Sequence, residues 1–427
     1  MTEFLEQLHP ALLALIRVLL LVVPILMVVP GLIWWERRLL SWMQDRIGPN
    51  RVGPFGLLQP IADGVKLFFK EDITPNTVDR VIYFVAPAVD LFPAFALGAT
   101  MPWGPSYGTY GLLTPISSAN IGILYVLAIS SLGVYGVVLA GYASNNKYSL
   151  MGGLRASAQL ISYELAMGVS LACIVMATGS LRLVDIVKAQ ESPLWGSIHG
   201  VQNWFIFTPF GLVSAIIFLI CMIAETNRAP FDLPEAENEL IAGYHTEYSS
   251  MKFAVFFMGE YAAMLVFGGI FACVFLGGYN FMPFDWKYLE ENYASAAPVW
   301  HILNGVNYWL APAFFVGKMM AMITFYIWLR ATLPRLRYDQ LMSLGWKTLL
   351  PLAVANFIVV AVWIISIKLY GPWGGLLSAI LGIGIAIGLF NAILRTKNSG
   401  GATLERQPIV MTDGAAEQRK IELVEGA

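Results

Sequence analysis

The feature that most constrains this chain is a series of apolar runs of near twenty residues that recurs from end to end. Each run is long enough to cross a hydrocarbon core of about 30 Å as a helix. The candidate spans are Ala11 to Ile33, Val81 to Met101, Ile121 to Tyr142, Ala156 to Met176, Phe205 to Ala224, Lys252 to Leu276, Trp309 to Leu329, Lys347 to Ile367 and Gly374 to Leu394. With 57% hydrophobic and 13% charged residues, the sequence predicts an all-α polytopic membrane protein of about nine transmembrane helices.

The basic residues predict the orientation of these spans. The first span is expected to be retained, because it is too long for a signal peptide and lacks a small-residue cleavage site. Most of the 26 Lys and Arg residues lie in the odd-numbered loops and the tail. The even-numbered loops hold only Arg182, Lys188, Lys287 and Lys368. Since basic residues resist translocation, we expect the N terminus outside and the C terminus in the cytoplasm.

Several kinds of site are not encoded. Cys173, Cys221 and Cys273 are isolated, so no iron–sulfur or zinc ligand spacing is present. The four histidines are scattered, no nucleotide-binding glycine pattern follows a strand, and the net charge of -2 gives no nucleic-acid footprint. The sequence therefore predicts no metal site, and any redox cofactor would belong to other subunits.

The first cytoplasmic loop, Glu36 to Asp72, packs charges and Gly-Pro turns between two apolar runs. Within it Leu57, Ile61, Val65 and Phe68 recur at helical spacing. This stripe predicts an amphipathic helix that lies at the membrane surface and is too short to span.

The charged residues of this loop allow two interpretations. Arg37 is one of several basic residues there that anchoring at the cytoplasmic surface explains equally well. Glu36, Arg46 and Asp63 are less easily explained in this way, because anchoring accounts for neither acid. The loop could instead cover a cavity between the bilayer and a cytosolic partner.

The cytoplasmic loop from Ala224 to Ser250 is strongly acidic and carries a single basic residue, Arg228. Its acids are Glu225, Asp232, Glu235, Glu237, Glu239 and Glu247. Clustered carboxylates favour partial protonation, which suits proton handling. A solvated acidic face that docks on a basic partner is the alternative, above all for Glu239 and Glu247.

Two acids lie deeper. Glu164 and Glu260 are each eight residues inside their predicted spans, about 12 Å below the cytoplasmic boundary. An unpaired charge at that depth is costly, so such acids bind a proton, a partner or water. With Glu225 they form a possible file, and Lys318 is a possible counter-charge. The alternative is a buried ion pair that only fixes helix register.

Three long strings carry a family resemblance. ERRLLSWMQDRIGPNRVGPFGLLQPIADGVKLFFKED, AETNRAPFDLPEAENELIAGYHTEYSSMKFAVFFMGEYA and IWLRATLPRLRYDQLMSLGWKTLLPL closely resemble the H subunit of NADH:quinone oxidoreductase, respiratory complex I, whose mitochondrial counterpart is called subunit 1. The resemblance covers about residues 1–370 in order, as a membrane domain with eight helices.

The resemblance implies roles for individual residues. The residues implied in the quinone chamber and its entry are Glu36, Arg37, Arg46 and Asp63, with Arg228 near them. Those implied in proton transfer toward the membrane arm are Glu164, Glu225, Glu235, Glu237 and Glu260. The implied activity is that of a quinone-reducing, proton-pumping translocase, with no catalytic residue or redox centre on this chain.

The implied partners follow from that activity. Quinone, either ubiquinone or menaquinone, is the expected substrate, and FMN and iron–sulfur clusters are expected only on partner subunits. Those partners are the quinone-site subunits of the hydrophilic arm and the small and antiporter-like membrane subunits, besides lipid. No nucleic acid is expected.

The chain departs from the mitochondrial pattern at its end. Residues 371–396 add a ninth span, with Gly384 and Gly388 in a spacing suited to close helix packing, and residues 397–427 form a polar cytoplasmic tail. This ninth span indicates a bacterial chain in the cytoplasmic (inner) membrane, with a periplasmic N terminus.

Two other functions remain open at this stage. One is a related subunit of a membrane-bound hydrogenase or formate-linked complex, although the full QDRIGPNRVGPFG run favours the quinone enzyme. The other is a secondary transporter, but no internal repeat is present in the sequence.

Overall fold

The computed structural model describes residues 10–105, 120–194, 198–232, 242–292, 297–371 and 384. Almost all regular structure in these residues is helical, so the predicted all-α fold is confirmed. Helices α1 to α12 are Pro10–Met43, Gln59–Phe69, Arg80–Gly98, Gly122–Ala143, Lys147–Thr178, Leu183–Ala189, Pro209–Glu225, Ser250–Phe275, Trp286–Asn292, Ala297–Trp309, Ala311–Thr332 and Tyr338–Gly371. Two short antiparallel strands, β1 (Pro193–Leu194) and β2 (Ile198–Gln202), precede α7.

Eight of these helices correspond to the first eight predicted spans. Seven of them are long and apolar enough to cross a membrane, namely α1, α3, α4, α5, α8, α11 and α12. Helix α7 is apolar but shorter, with 17 residues. The predicted ninth span lies outside the described residues apart from Gly384. The chain divides into the units Met1–Ile383 and Gly384–Ala427, and all twelve helices belong to the first.

The outer faces of the long helices expose large apolar side chains. On α1, Met27 is 74% exposed and Leu15 is 54% exposed, and Ile358 of α12 is 58% exposed. Continuous apolar surface of this extent is unfavourable in water and is the surface that a hydrocarbon core solvates. The chain is therefore a multi-pass membrane protein.

Three helices extend further than the sequence predicted, among them α12, which begins at Tyr338 and not near Lys347. Helix α1 continues beyond Ile33 to Met43, so Glu36 and Arg37 belong to a helix and not to a loop. The residues after Ile33 contain no Gly or Pro before Gly48, and they are compatible with continued helix. Helix α5 begins well before Ala156, because Asn146 caps it by accepting a hydrogen bond from the Tyr148 amide at 2.9 Å.

The core lies where α5, α7, α8 and α11 meet. Tyr163, Phe218, Phe275 and Phe315, one from each of these helices, are fully buried. Aromatic side chains of this kind bury about 150–250 Å² each and dominate the energetics of packing. Helix α8 lies centrally and is buried along most of its length, so its polar residues are held among the surrounding helices.

The predicted interfacial helix is present as α2. Its apolar residues Ile61, Val65 and Phe68 are 59%, 51% and 68% exposed, as a helix that packs its apolar stripe against lipid requires. The segment after α2 is attached to the start of α8. There the Lys252 ammonium lies 2.9 Å from the Asp72 carboxylate, which ties the first loop to the helix that carries Glu260.

Candidate functional site

The C-terminal end of α1 places Glu36 in a buried network of charges. Glu36 is 5% exposed, accepts a hydrogen bond from the Tyr261 hydroxyl at 2.6 Å and pairs with Arg330. Its Oε2 also lies 3.7 Å from Nη1 of Arg228. The long α1 brings this acid to α8 and α11, which is why two arginines and a tyrosine from distant parts of the sequence surround it.

Arg228 lies between two carboxylates. Its Nη2 lies 3.9 Å from Oε2 of Glu260, and its guanidinium lies 4.1 Å from the centroid of the Tyr261 ring. Burial disfavours the charged form of Arg228, but Tyr261, Glu36 and Glu260 favour it more strongly, so the pKa of Arg228 is raised above its usual range. Arg228 is therefore a permanent cation that links Glu36 with Glu260.

Glu260 has a second basic neighbour. Nε2 of His245 lies 3.8 Å from Oε1 of Glu260, and His245 is 5% exposed. The neighbouring Tyr261 points to Glu36, whereas Glu260 points to Arg228 and His245, as expected for adjacent residues of a helix. One turn of α8 thus contacts both ends of the charge network.

A cavity of about 50 Å³, lined by both apolar and polar residues, adjoins this network. Its acidic lining residues are Asp90, Glu225 and Glu260, and its polar ones are Ser130, Thr226, Asn227 and Tyr244. A cavity needs about 10–15 Å³ to hold one water molecule, so this one has room for a few. The predicted pair Glu225 and Glu260 therefore share one cavity.

Glu164 reaches the cavity through hydroxyl groups of α4. Its Oε1 accepts hydrogen bonds from Ser131 at 2.6 Å and from Ser130 at 3.3 Å. Ser130 also lines the cavity. Glu225 and Glu260 thus line this cavity, and Glu164 is connected to its lining through Ser130; their role as a proton file stays a prediction.

Two of the residues predicted in the first loop, Arg37 and Asp63, form a separate and more exposed pair. Arg37 of α1 lies 2.5 Å from Asp63 of α2, and their side chains are 46% and 23% exposed. Such exposed pairs contribute only about 0–1 kcal/mol. Arg46 is exposed and donates to Gln44, and in the described part of the chain it contacts neither Glu36 nor Asp63.

The prediction for Lys318 is wrong. Its Nζ donates hydrogen bonds to the carbonyl oxygens of Leu276, Gly278 and Asn280 and pairs with no carboxylate among the described residues. Leu276 follows Glu260 by sixteen residues, about 24 Å along a helix. Lys318 is far from the acids because it satisfies the carbonyl groups at the far end of α8, and the cation beside Glu260 is Arg228 instead.

Sequence reasoning missed four residues of this site, namely Asp90, His245, Tyr261 and Arg330. Asp90 was detectable, because it is an acid inside an apolar span just as Glu260 is. The other three carry no comparable signal, since they come together only when α8 and α11 pack around α1. Glu235 and Glu237 lie outside the described residues, so their predicted roles stay predictions.

Within the described ranges, no group of three or more His, Cys, Asp and Glu side chains is arranged to hold a metal ion. Cys173, Cys221 and Cys273 are free and buried in the core. The polar side chains of the charge network and the cavity are carboxyl, hydroxyl, amide, imidazole and guanidinium groups, which bind protons, water and polar ligands.

Comparisons with known proteins identify the family to which the chain belongs. A model of the NADH dehydrogenase family matches residues 16–361. The NADH-quinone oxidoreductase H subunit of Ralstonia nicotianae is 45% identical over 369 residues, which are 85% of this chain and 94% of that protein. The H subunit numbered 1 of Geobacter metallireducens is 47% identical over 358 residues, which are 83% and 97%.

A third relative extends the range of organisms. The NADH-quinone oxidoreductase H subunit of Thermomicrobium roseum is 48% identical over 325 residues, which are 76% of this chain and 87% of that protein. The family model and these relatives each cover most of the chain. The chain therefore belongs to the NADH dehydrogenase family, that of the H subunit of NADH-quinone oxidoreductase.

Proposed function

We propose that this chain helps to form the quinone chamber of a proton-pumping NADH:quinone oxidoreductase and couples quinone reduction to proton movement through buried carboxylates. The observation that carries the proposal is the position of Arg228, 3.7 Å from Glu36 and 3.9 Å from Glu260. Arg228 thus connects Glu36, near the C-terminal end of α1, with Glu260, which lines the acidic cavity.

The quinone side of the proposal rests on α1 and α2. The exposed apolar stripe of α2, which includes Ile61 and Phe68, suits the isoprenoid tail of a quinone that enters from lipid. The Arg37 and Asp63 pair joins the two helices beside that stripe. With Arg46 on the exposed turn after α1, these groups would frame the entry, and partner subunits would complete the chamber.

The proton side rests on the charge network. A reduced quinone requires protons. When a group near Glu36 takes up or loses a proton, the electrostatic interaction of that region with Arg228 changes. Two unit charges about 4 Å apart interact by about 4 kcal/mol at an effective dielectric constant near 20. A change at Glu36 is thus large enough, through Arg228, to alter proton binding at Glu260 and in the cavity beyond it.

A smaller cavity supports the same path. It measures about 10 Å³ and is lined by Glu36, Arg228 and Arg330, among others, which is close to the space for one water molecule. Arg228 therefore borders a small cavity on the Glu36 side and lies beside Glu260, which lines the larger one. Glu164, held by Ser130 and Ser131, would pass the protonation change onward.

The proposal assigns the redox chemistry to other subunits. FMN and iron–sulfur clusters would be on the hydrophilic arm, and this chain would contact that arm on its cytoplasmic side and the small and antiporter-like subunits within the membrane. We propose that the membrane is the bacterial cytoplasmic membrane, with the N terminus in the periplasm and the C terminus in the cytoplasm. Ubiquinone or menaquinone would be the substrate.

Photo-crosslinking tests the quinone site. Membranes that hold the whole complex are labelled with an azido-quinone, with and without a competing quinone-site inhibitor, and the labelled peptides of this chain are mapped. We expect inhibitor-sensitive labelling between residues 36 and 70 or between 225 and 248. Labelling of partner subunits alone would contradict a quinone chamber on this chain and would favour a purely coupling or hydrogenase-like role.

A further inference from the structure

Helix α3 carries an acid that neither the sequence analysis nor the proposed path includes. Asp90 lies ten residues from the start of α3, and Glu260 lies ten residues from the start of α8, so each is about 15 Å along its helix. Asp90 also lines the 50 Å³ cavity together with Glu225 and Glu260. Three carboxyl groups from three helices therefore surround one small cavity.

Two neighbouring helices pack closely against Asp90 at glycine residues. A Cβ atom at Gly136 of α4 would lie 2.7 Å from the Asp90 amide nitrogen, and one at Gly259 of α8 would lie 2.9 Å from Asp90 Oδ2. Real Cβ contacts are essentially never this short, so α4 and α8 can approach α3 only because glycines lie there. The packing fixes the Asp90 carboxyl between α4 and α8, beside Glu260.

The cavity has too few cations for its acids. Arg228 and His245 are close to Glu260, but in the described part of the chain Asp90 and Glu225 have no basic partner within 4 Å. Two carboxylates without a basic partner beside a third in a buried site repel one another and are costly to desolvate. Protons on some of the carboxyl groups remove that cost.

Polar atoms without a hydrogen-bond partner among the described residues line the cavity. Oδ1 of Asn227 and Oε2 of Glu225 are buried and lack a hydrogen-bond partner among the described residues, and both residues line the cavity. Asn227 is only 8% exposed. Buried polar atoms of this kind are normally satisfied by ordered water, and a few water molecules would connect the three carboxyl groups.

We propose that Asp90 is a third proton-exchanging carboxyl of this cavity, working with Glu225 and Glu260. In each transfer the O–H bond at the Asp90 carboxyl breaks as a water molecule takes the proton, and that water releases a proton to Glu225 or Glu260. The reverse transfer restores Asp90, so no other reactant is consumed. The inference rests on the proposed function, because quinone reduction supplies the charge change that drives the exchange.

The test uses Asp90→Asn in the whole complex. Asn has nearly the shape of Asp, so it fits between Gly136 and Gly259, but it carries no exchangeable carboxyl proton. The matched control is Asp79→Asn on the same helix, where Asp79 is exposed and caps the first turn, a task that Asn also performs. The readouts are proton pumping, quinone reduction, NADH oxidation by an artificial acceptor, and redox-induced infrared difference spectra.

We expect Asp90→Asn to lose a protonated-carboxyl band from the infrared spectra and to lower quinone-coupled pumping by about tenfold or more, since positioned acid–base groups typically contribute at least that much. Oxidation of NADH by the artificial acceptor and the Asp79→Asn control are expected to be unchanged. A redox-sensitive band that persists in Asp90→Asn, together with normal pumping, would overturn the inference.

Two further measurements keep the outcomes distinct. If Glu225→Gln and Glu260→Gln lose pumping while Asp90→Asn retains it, the inference fails and the proposed function stands; if all three retain it, the proposed function fails. If the Asp90 variant does not assemble, the wild-type complex is labelled with carbon-13 at its aspartate carboxyl groups. Its redox-induced infrared difference spectra then test whether an aspartate carboxyl group changes protonation. The absence of any labelled carboxylic-acid band that responds to reduction would then overturn the role of Asp90.

Discussion

Replacing Arg228 with Met tests the central cation of the charge network. Met has a similar length but no charge, so the change removes the ion pairs to Glu36 at 3.7 Å and to Glu260 at 3.9 Å. Glu36 keeps Arg330 and the Tyr261 hydroxyl. Glu260 keeps only His245, at 3.8 Å, among the described residues, so Glu260 is the acid that loses most.

The expected loss of stability follows from the charge that Glu260 is left with. Removing one partner of a buried ion pair typically costs about 3–5 kcal/mol, because the remaining charge is left uncompensated. We expect Arg228→Met to lower the thermal stability and the amount of assembled complex, and to abolish quinone reduction. A second change, Glu260→Gln, removes the uncompensated charge and should restore assembly but not quinone reduction.

The assay compares three variants in isolated membranes. For each, the amount of assembled complex, NADH oxidation by an artificial acceptor and quinone reduction are measured. The control is Arg182→Met, which removes an exposed pair with Asp185 and should change stability by less than about 1 kcal/mol. Normal quinone reduction in Arg228→Met, or no recovery of assembly in the double variant, would refute the reasoning.

Three other predictions concern the remaining parts of the site and the packing. Glu164→Gln should lose pumping and quinone turnover together, and retention of both in membrane vesicles would leave Glu164 a structural acid. Asp63→Asn should slow quinone reduction while NADH oxidation by an artificial acceptor stays intact, because its pair with Arg37 lies on the quinone side; loss of both rates would contradict this. Gly152→Ala should destabilise by about 1–3 kcal/mol in a thermal assay, since its Cβ would lie 2.5 Å from Gly243, whereas Gly31→Ala, with open space around it, should have no such cost.

The sequence located the acids better than their partners. Glu164 and Glu260 are identifiable because a carboxylate inside an apolar run is costly and therefore conspicuous. The same rule applies to Asp90, which was overlooked. Lys318 was assigned to the acids because it lies in the middle of a predicted span, but sequence does not say which end of a neighbouring helix a side chain faces.

Helix ends were the other weak point. The apolar run of α1 ends near Ile33, but the helix continues to Met43, since hydrophobicity reports where lipid ends and not where a helix ends. That extension is what carries Glu36 into contact with Tyr261 and Arg330. Glu36, which the hydropathy pattern assigns to a loop, is therefore part of the buried network.

The sequence by itself determined the fold class, the first eight spans and the two acidic regions, because spanning length and the cost of burying charge are properties of single segments. Only the tertiary structure decided that Arg228 joins Glu36 to Glu260 and that Asp90 shares a cavity with Glu225 and Glu260. Those relations depend on the packing of α1, α3, α7, α8 and α11, which bring together residues far apart in the chain. Packing depends on the shapes of facing side chains, such as Gly136 and Gly259 around Asp90, and no local pattern encodes it.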